Sequence, residues 1–63
     1  MTTNFKMPHC VDDTHSVVYV QVRSFLGAMA AKTQGQKVYP DHKIEFVSEE
    51  RFTELEKDYE RIN

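Results

Sequence analysis

The densest group of reactive side chains lies in the stretch His9-Cys10-Val11-Asp12-Asp13-Thr14-His15. Thiol, imidazole and carboxylate are all zinc ligands, and His42 adds a further nitrogen donor. A bound metal would also stabilise so short a chain. The spacing is incomplete, however. His9 and His15 meet the widest histidine spacing of a zinc site, but no Cys-x-x-Cys pair accompanies them. Neighbours in sequence such as His9 and Cys10 are poorly placed to hold one ion. The other chemical option is a thiolate nucleophile, Cys10, with His9 or His15 as its base and Asp12 or Asp13 orienting the imidazole. No loop of oxyanion donors accompanies it. Gly27 and Gly35 are the only glycines, so no glycine-rich phosphate loop exists either. The expectation is a chain without catalytic, metal-binding or cofactor-binding residues, in which Cys10 is a thiol on a solvated arm, dispensable for folding.

The chain has 63 residues, 40% hydrophobic and 29% charged, with a formal net charge of −2. That is an ordinary composition for one small folded domain. Five Lys and Arg against three Asp leave residues 1–44 at +2, while seven Asp and Glu against three Lys and Arg leave residues 45–63 at −4. Nucleic-acid binding would ask for a basic stripe, and only Lys32, Lys37 and Lys43, with Tyr39, suggest one. No apolar run approaches the roughly 20 residues that cross a bilayer. The opening MTTNFKMPHC has no apolar signal core. A single cysteine permits no intrachain disulfide and fits a reducing, cytoplasmic setting.

Elements that could position these groups follow from periodicity and caps. Residues 1–15 have no sustained period and read as an irregular arm, with at most a short edge strand near residues 4–10 because Pro8 cannot sit in a central one. Residues 16–63 read as the compact domain. In SVVYVQVR, residues 16–23, Val18, Val20 and Val22 alternate with Tyr19, Gln21 and Arg23, the pattern of a strand. The rival is a helix over about residues 14–33, carried by Val18, Val22, Phe25 and Met29. The β-branched density favours the strand. Ser24 can cap a helix over residues 25–34 whose Phe25, Leu26 and Met29 share one face. Gly35 suits its left-handed end, and Gly27 would allow close packing on the strand. Residues 36–47 read as a hairpin turning at Pro40-Asp41-His42. Ser48 caps a last helix, residues 48–62, with Phe52, Leu55, Tyr59 and Ile62 as one apolar stripe.

These elements predict an α+β domain in the order β-α-β-β-α, both helices covering one face of a small sheet; helix–hairpin–helix is the alternative. A core this small, with no disulfide, seldom stabilises a chain by itself, which points to association. The expected function is a non-enzymatic protein-binding module, regulatory or inhibitory and self-associating, of the size of the accessory inhibitors found in phages and mobile elements. The alternative is a small nucleic-acid-binding regulator. Tyr19 and Arg23, types enriched at interface hot spots, and the helical carboxylates Glu50, Glu54, Glu56 and Glu60 are the expected partner-binding residues. The partner is another protein with a basic surface, or a second copy, and not nucleic acid or membrane.

Overall fold

The computed structural model describes residues 7–62. Its elements are β1 (His9–Asp12), β2 (Val17–Gln21), α1 (Phe25–Val38), β3 (Lys43–Val47), α2 (Glu49–Leu55) and β4 (Arg61–Ile62). The α+β class stands, and the order is β-β-α-β-α-β. The strands form one mixed sheet in the order β3-β2-β1-β4. The first hairpin aligns His9 with Val20 and Asp12 with Val17. Its turn is fastened by Asp12, whose Oδ1 accepts the His15 backbone N–H at 3.2 Å, and it closes with Ser16 in the left-handed region, φ 54°.

The arm expected over residues 1–15 is thus corrected where it is described. His9–Asp12 form an interior strand, paired with β2 on one side and with β4 on the other. The alternation was hidden because His9 and Asp12, both 2% exposed, occupy buried places that a hydropathy pattern assigns to apolar residues. The first part of the edge strand expected near residues 4–10, residues 4–6, lies outside the described residues.

β2 occupies most of the strand expected over residues 16–23, with Val18 and Val20 fully buried. Ser24 caps α1, accepting the Gly27 N–H at 3.0 Å. A Cβ on Gly27 would stand 3.0 Å from that Ser24 hydroxyl; this glycine leaves room for the cap, not for the strand. Gly35 does not end the helix. It is buried one turn after Ala31, whose small side chain lets the helix pack on Val18 and Val20 of the sheet. The helix stops at Val38 because Pro40 disfavours helical geometry in Tyr39, whose φ is −124° and ψ 72°. The hairpin expected over residues 36–47 is therefore half absent. Only Lys43–Val47 are extended, and they run parallel to β2, with Val18 beside Ile44 and Val20 beside Phe46. A parallel neighbour needs a crossover, which α1 supplies.

Val18, Val20 and Ala31 form the core on the α1 side, with Met7, Val11, Val22, Val38, Tyr39 and Ile44 packed around them. Strand alternation turns Cys10, Asp12, Tyr19 and Gln21 to the other side. There the ring of Tyr59 stacks on Tyr19 at 6.0 Å and its hydroxyl donates to Asp12 at 2.9 Å. Phe52 and Leu55 of α2 are buried, and Glu56 lies close enough to influence the Cys10 thiol. The helices therefore cover opposite faces, not one. The last helix is also shorter than the stripe implied. Beyond Leu55 the chain turns, with Lys57 N–H bonded to the Glu54 carbonyl and Asp58 N–H to that of Leu55, and Ile62 pairs with His9 in β4.

Candidate functional site

The reactive stretch folds into two separate polar groupings. On the α2 side Asp12 accepts three hydrogen bonds: the His15 backbone N–H, His15 Nδ1 at 2.7 Å and the Tyr59 hydroxyl. Burial pushes its carboxyl up, but these bonds outweigh burial and hold it below the ordinary carboxylate range. The same bond to Asp12, with burial, raises the Tyr59 phenol. On the α1 side His9 spans the Met7 carbonyl at 2.8 Å and the Tyr39 hydroxyl at 3.1 Å. Burial lowers its pKa, opposed by the Met7 bond. Tyr39 also lies against the His42 ring, and burial and Asp13 raise its phenol. His42 Nε2 pairs with Asp13 at 2.9 Å, and its buried Nδ1 has no hydrogen-bond partner among the described residues.

This arrangement separates the groups a nucleophilic site would unite. His9 and Cys10 are successive strand residues and face opposite sides of the sheet. Cys10 is fully buried, and burial together with the Glu56 carboxylate raises its thiol, partly opposed by Arg61. A buried thiol held protonated is an inert one. The expectation of an exposed Cys10 is corrected: it is a packing residue on the α2 side of the sheet. Among the described residues, no group of three or more His, Cys, Asp or Glu is placed to hold a metal ion. Both groupings act as fasteners, Asp12 tying the hairpin turn to the chain after α2, and Tyr39 tying the end of α1 to β1.

The expected partner-binding residues are dispersed. Tyr19 is half-buried under Tyr59. Arg23 is exposed in the bend before α1. Glu50 and Glu54 stand out from α2, with Glu54 held by Arg51 at 3.2 Å. Glu56 is the C-cap of α2 and lies 3.6 Å from Arg61, while Glu60 lies beyond the helix. The four carboxylates therefore do not line one helical face. Nor do the lysines make one patch. Lys32 and Lys37 are exposed on α1, whereas Lys43 lies at a strand position on the face opposite α1.

The feature that sequence reasoning missed is the outer face of α1. Phe25 is 77% exposed, Leu26 79% and Met29 57%. Their spacing places them together on the side of the helix away from Ala31 and Gly35. The sequence places these side chains on one face, and the structure turns that face outward while Ala31 packs against Val18 and Val20 of the sheet. The signal for this was present: Ala28, Ala31 and Gly35 also recur at helical spacing. Arg23, two residues before Phe25, and Lys32, three after Met29, are exposed, and α1 contains no acidic residue. No family model, curated protein or solved structure matches this chain. No helix among the described residues is long and apolar enough to cross a membrane.

Proposed function

We infer that the chain is a small non-enzymatic protein-binding module, regulatory or inhibitory, whose contact face is the outer side of α1. The supporting observation is the cluster Phe25, Leu26 and Met29, three large apolar side chains held in water at the start of one helix. Contiguous apolar exposure of this kind marks contact surfaces, and its energy would come from burying those side chains against a partner. Exposed Arg23 and Lys32 on either side of it in sequence, with no acid on the helix, fit a partner whose apolar site is rimmed by carboxylates. The carboxylates of α2 carry less of this reading, since Arg51 and Arg61 already accompany Glu54 and Glu56. The separation of Lys43 from Lys32 and Lys37 weakens the nucleic-acid alternative, which needs a continuous basic track.

A photo-crosslinking side chain placed at position 26, in the cells that make the protein, tests this. One discrete protein adduct is expected from position 26, none from position 36 toward the other end of the helix, and loss of the adduct on adding Phe25→Ser. Equal adducts from both positions, or binding of the unmodified chain to anionic lipid vesicles, would overturn it.

A further inference from the structure

We propose that β3 is a self-pairing edge, through which two copies of this chain join antiparallel and continue their sheets into one of eight strands. This rests on the strand itself and not on what covers α1. Among the described residues β3 is the outermost strand on its side of the sheet. Edges of this kind are usually blunted by brevity, proline, a bulge or charged side chains; β3 has the last of these, Lys43 and Glu45. β3 has five residues, as many as β2, contains no proline, and pairs with β2 without interruption from Lys43 to Val47.

The Lys43 N–H donates to the Ser16 carbonyl at 2.8 Å. In a parallel ladder alternate residues then turn their N–H and C=O inward, so Lys43, Glu45 and Val47 face β2, while Ile44 and Phe46 offer theirs to the outside. An antiparallel two-fold contact can centre on Ile44, Glu45 or Phe46. Centred on Glu45 it sets two carboxylates opposite each other, which is repulsive. Centred on Phe46 it sets Glu45 against Val47 and leaves Lys43 outside the strand contact. Centred on Ile44 it sets Lys43 against Glu45 twice, once on each side of the axis, in the close non-hydrogen-bonded positions where cross-strand pairs act most strongly. Ile44 then exchanges two backbone hydrogen bonds with its own copy, and Phe46 N–H reaches the His42 carbonyl. An opposite-sign pair two residues apart deters random partners, yet it is complementary to a second copy in this one register. Phe46, 39% exposed at the edge, would be covered by the second strand.

The test combines sedimentation equilibrium of the full chain over a wide concentration range with charge-swapped variants. The expected result is a reversible dimer, weakened roughly tenfold by Glu45→Lys and by Lys43→Glu, and restored in the double variant, because each single swap turns two attractive pairs into two repulsive ones. Both side chains are exposed, so far-UV circular dichroism should match in all four proteins. Hydrogen exchange of the unmodified chain provides a readout without substitution. The Ile44 and Phe46 amides should exchange fast in dilute solution and become protected as concentration rises. A monomer at all concentrations, a dimer indifferent to both swaps, weakening without rescue, or amides at 44 and 46 that stay unprotected in the dimer would each overturn the proposal.

Discussion

Leu26 and Leu55 offer one substitution at two opposite burials. Leu55 is 5% exposed and Leu26 79% exposed. Leu55→Ala removes a core side chain and leaves a cavity, which costs about 2–5 kcal/mol. That is comparable with the whole stability expected of so small a core, about 3–5 kcal/mol. At Leu26 only about a fifth of the side chain is covered. Full burial of a leucine contributes about 1.5–3 kcal/mol, so the loss should be about 0.3–0.6 kcal/mol, and the better helix propensity of alanine offsets part of it. Urea unfolding of both variants at low concentration should therefore give a nearly unchanged midpoint for Leu26→Ala. For Leu55→Ala it should show a large fall or no folded baseline, with the slope serving as a check on two-state behaviour. A cost above about 2 kcal/mol for Leu26→Ala would refute the reasoning. It would mean that the outer face of α1 is covered in the free protein and is not a contact face awaiting a partner.

Three further outcomes follow. Cys10 should resist thiol reagents until the domain opens, and Cys10→Ser should cost about 1–3 kcal/mol, since a buried hydroxyl without a partner replaces a soft apolar sulfur; fast native labelling would contradict this. His9 should titrate below 6.5 in a ring-proton NMR titration. The unfolded chain then takes up that proton first, so the His9 contribution to stability is complete above pH 6.5 and declines as pH falls through the imidazole range. The Asp12 contribution is complete above its ordinary value of 3.8 and is lost only as pH falls through the lower folded value. A His9 pKa above 6.5 would reverse the first sign. Ser16→Gly should stabilise the hairpin turn by up to about 1 kcal/mol, because only glycine occupies the left-handed region without a Cβ clash. Read as a melting temperature this is a rise of a few degrees, about 4–8 °C per kcal/mol for a domain of this size. A lowered midpoint would show that the serine side chain holds the turn.

The parts of the fold legible in the sequence are those fixed by local chemistry. Ser24 and Ser48 cap the two helices through their hydroxyls, and the valines of β2 alternate as a strand must. The parts that escaped depend on partners distant in the chain. β1 is extended because β2 and β4 flank it and because Tyr39 and Tyr59 satisfy His9 and Asp12. Neither tyrosine is near in sequence. α2 ends early because Tyr59 is engaged by Tyr19 and Asp12 on the sheet, which no stripe of helical spacing can reveal. The outward turn of the α1 apolar face escaped for a different reason. Hydropathy weighs large side chains above small ones, whereas close approach of a helix to a sheet selects a small residue such as Ala31.

The pairing of His9 with Ile62 also fixes how the domain bears load. It brings the two ends of the described chain side by side on one strand pair, in antiparallel sense. Tension applied between Met7 and Ile62 would therefore act across the β1–β4 ladder, not along it. The few hydrogen bonds of a two-residue strand would part in succession, as in a zipper, and not together in shear. A tether attached at both ends should peel β4 away at low force while the β1–β2–β3 sheet stays whole. Attachment at Val17 of β2 and Val47 of β3, opposite ends of two parallel strands, would load their ladder in shear and should resist far more.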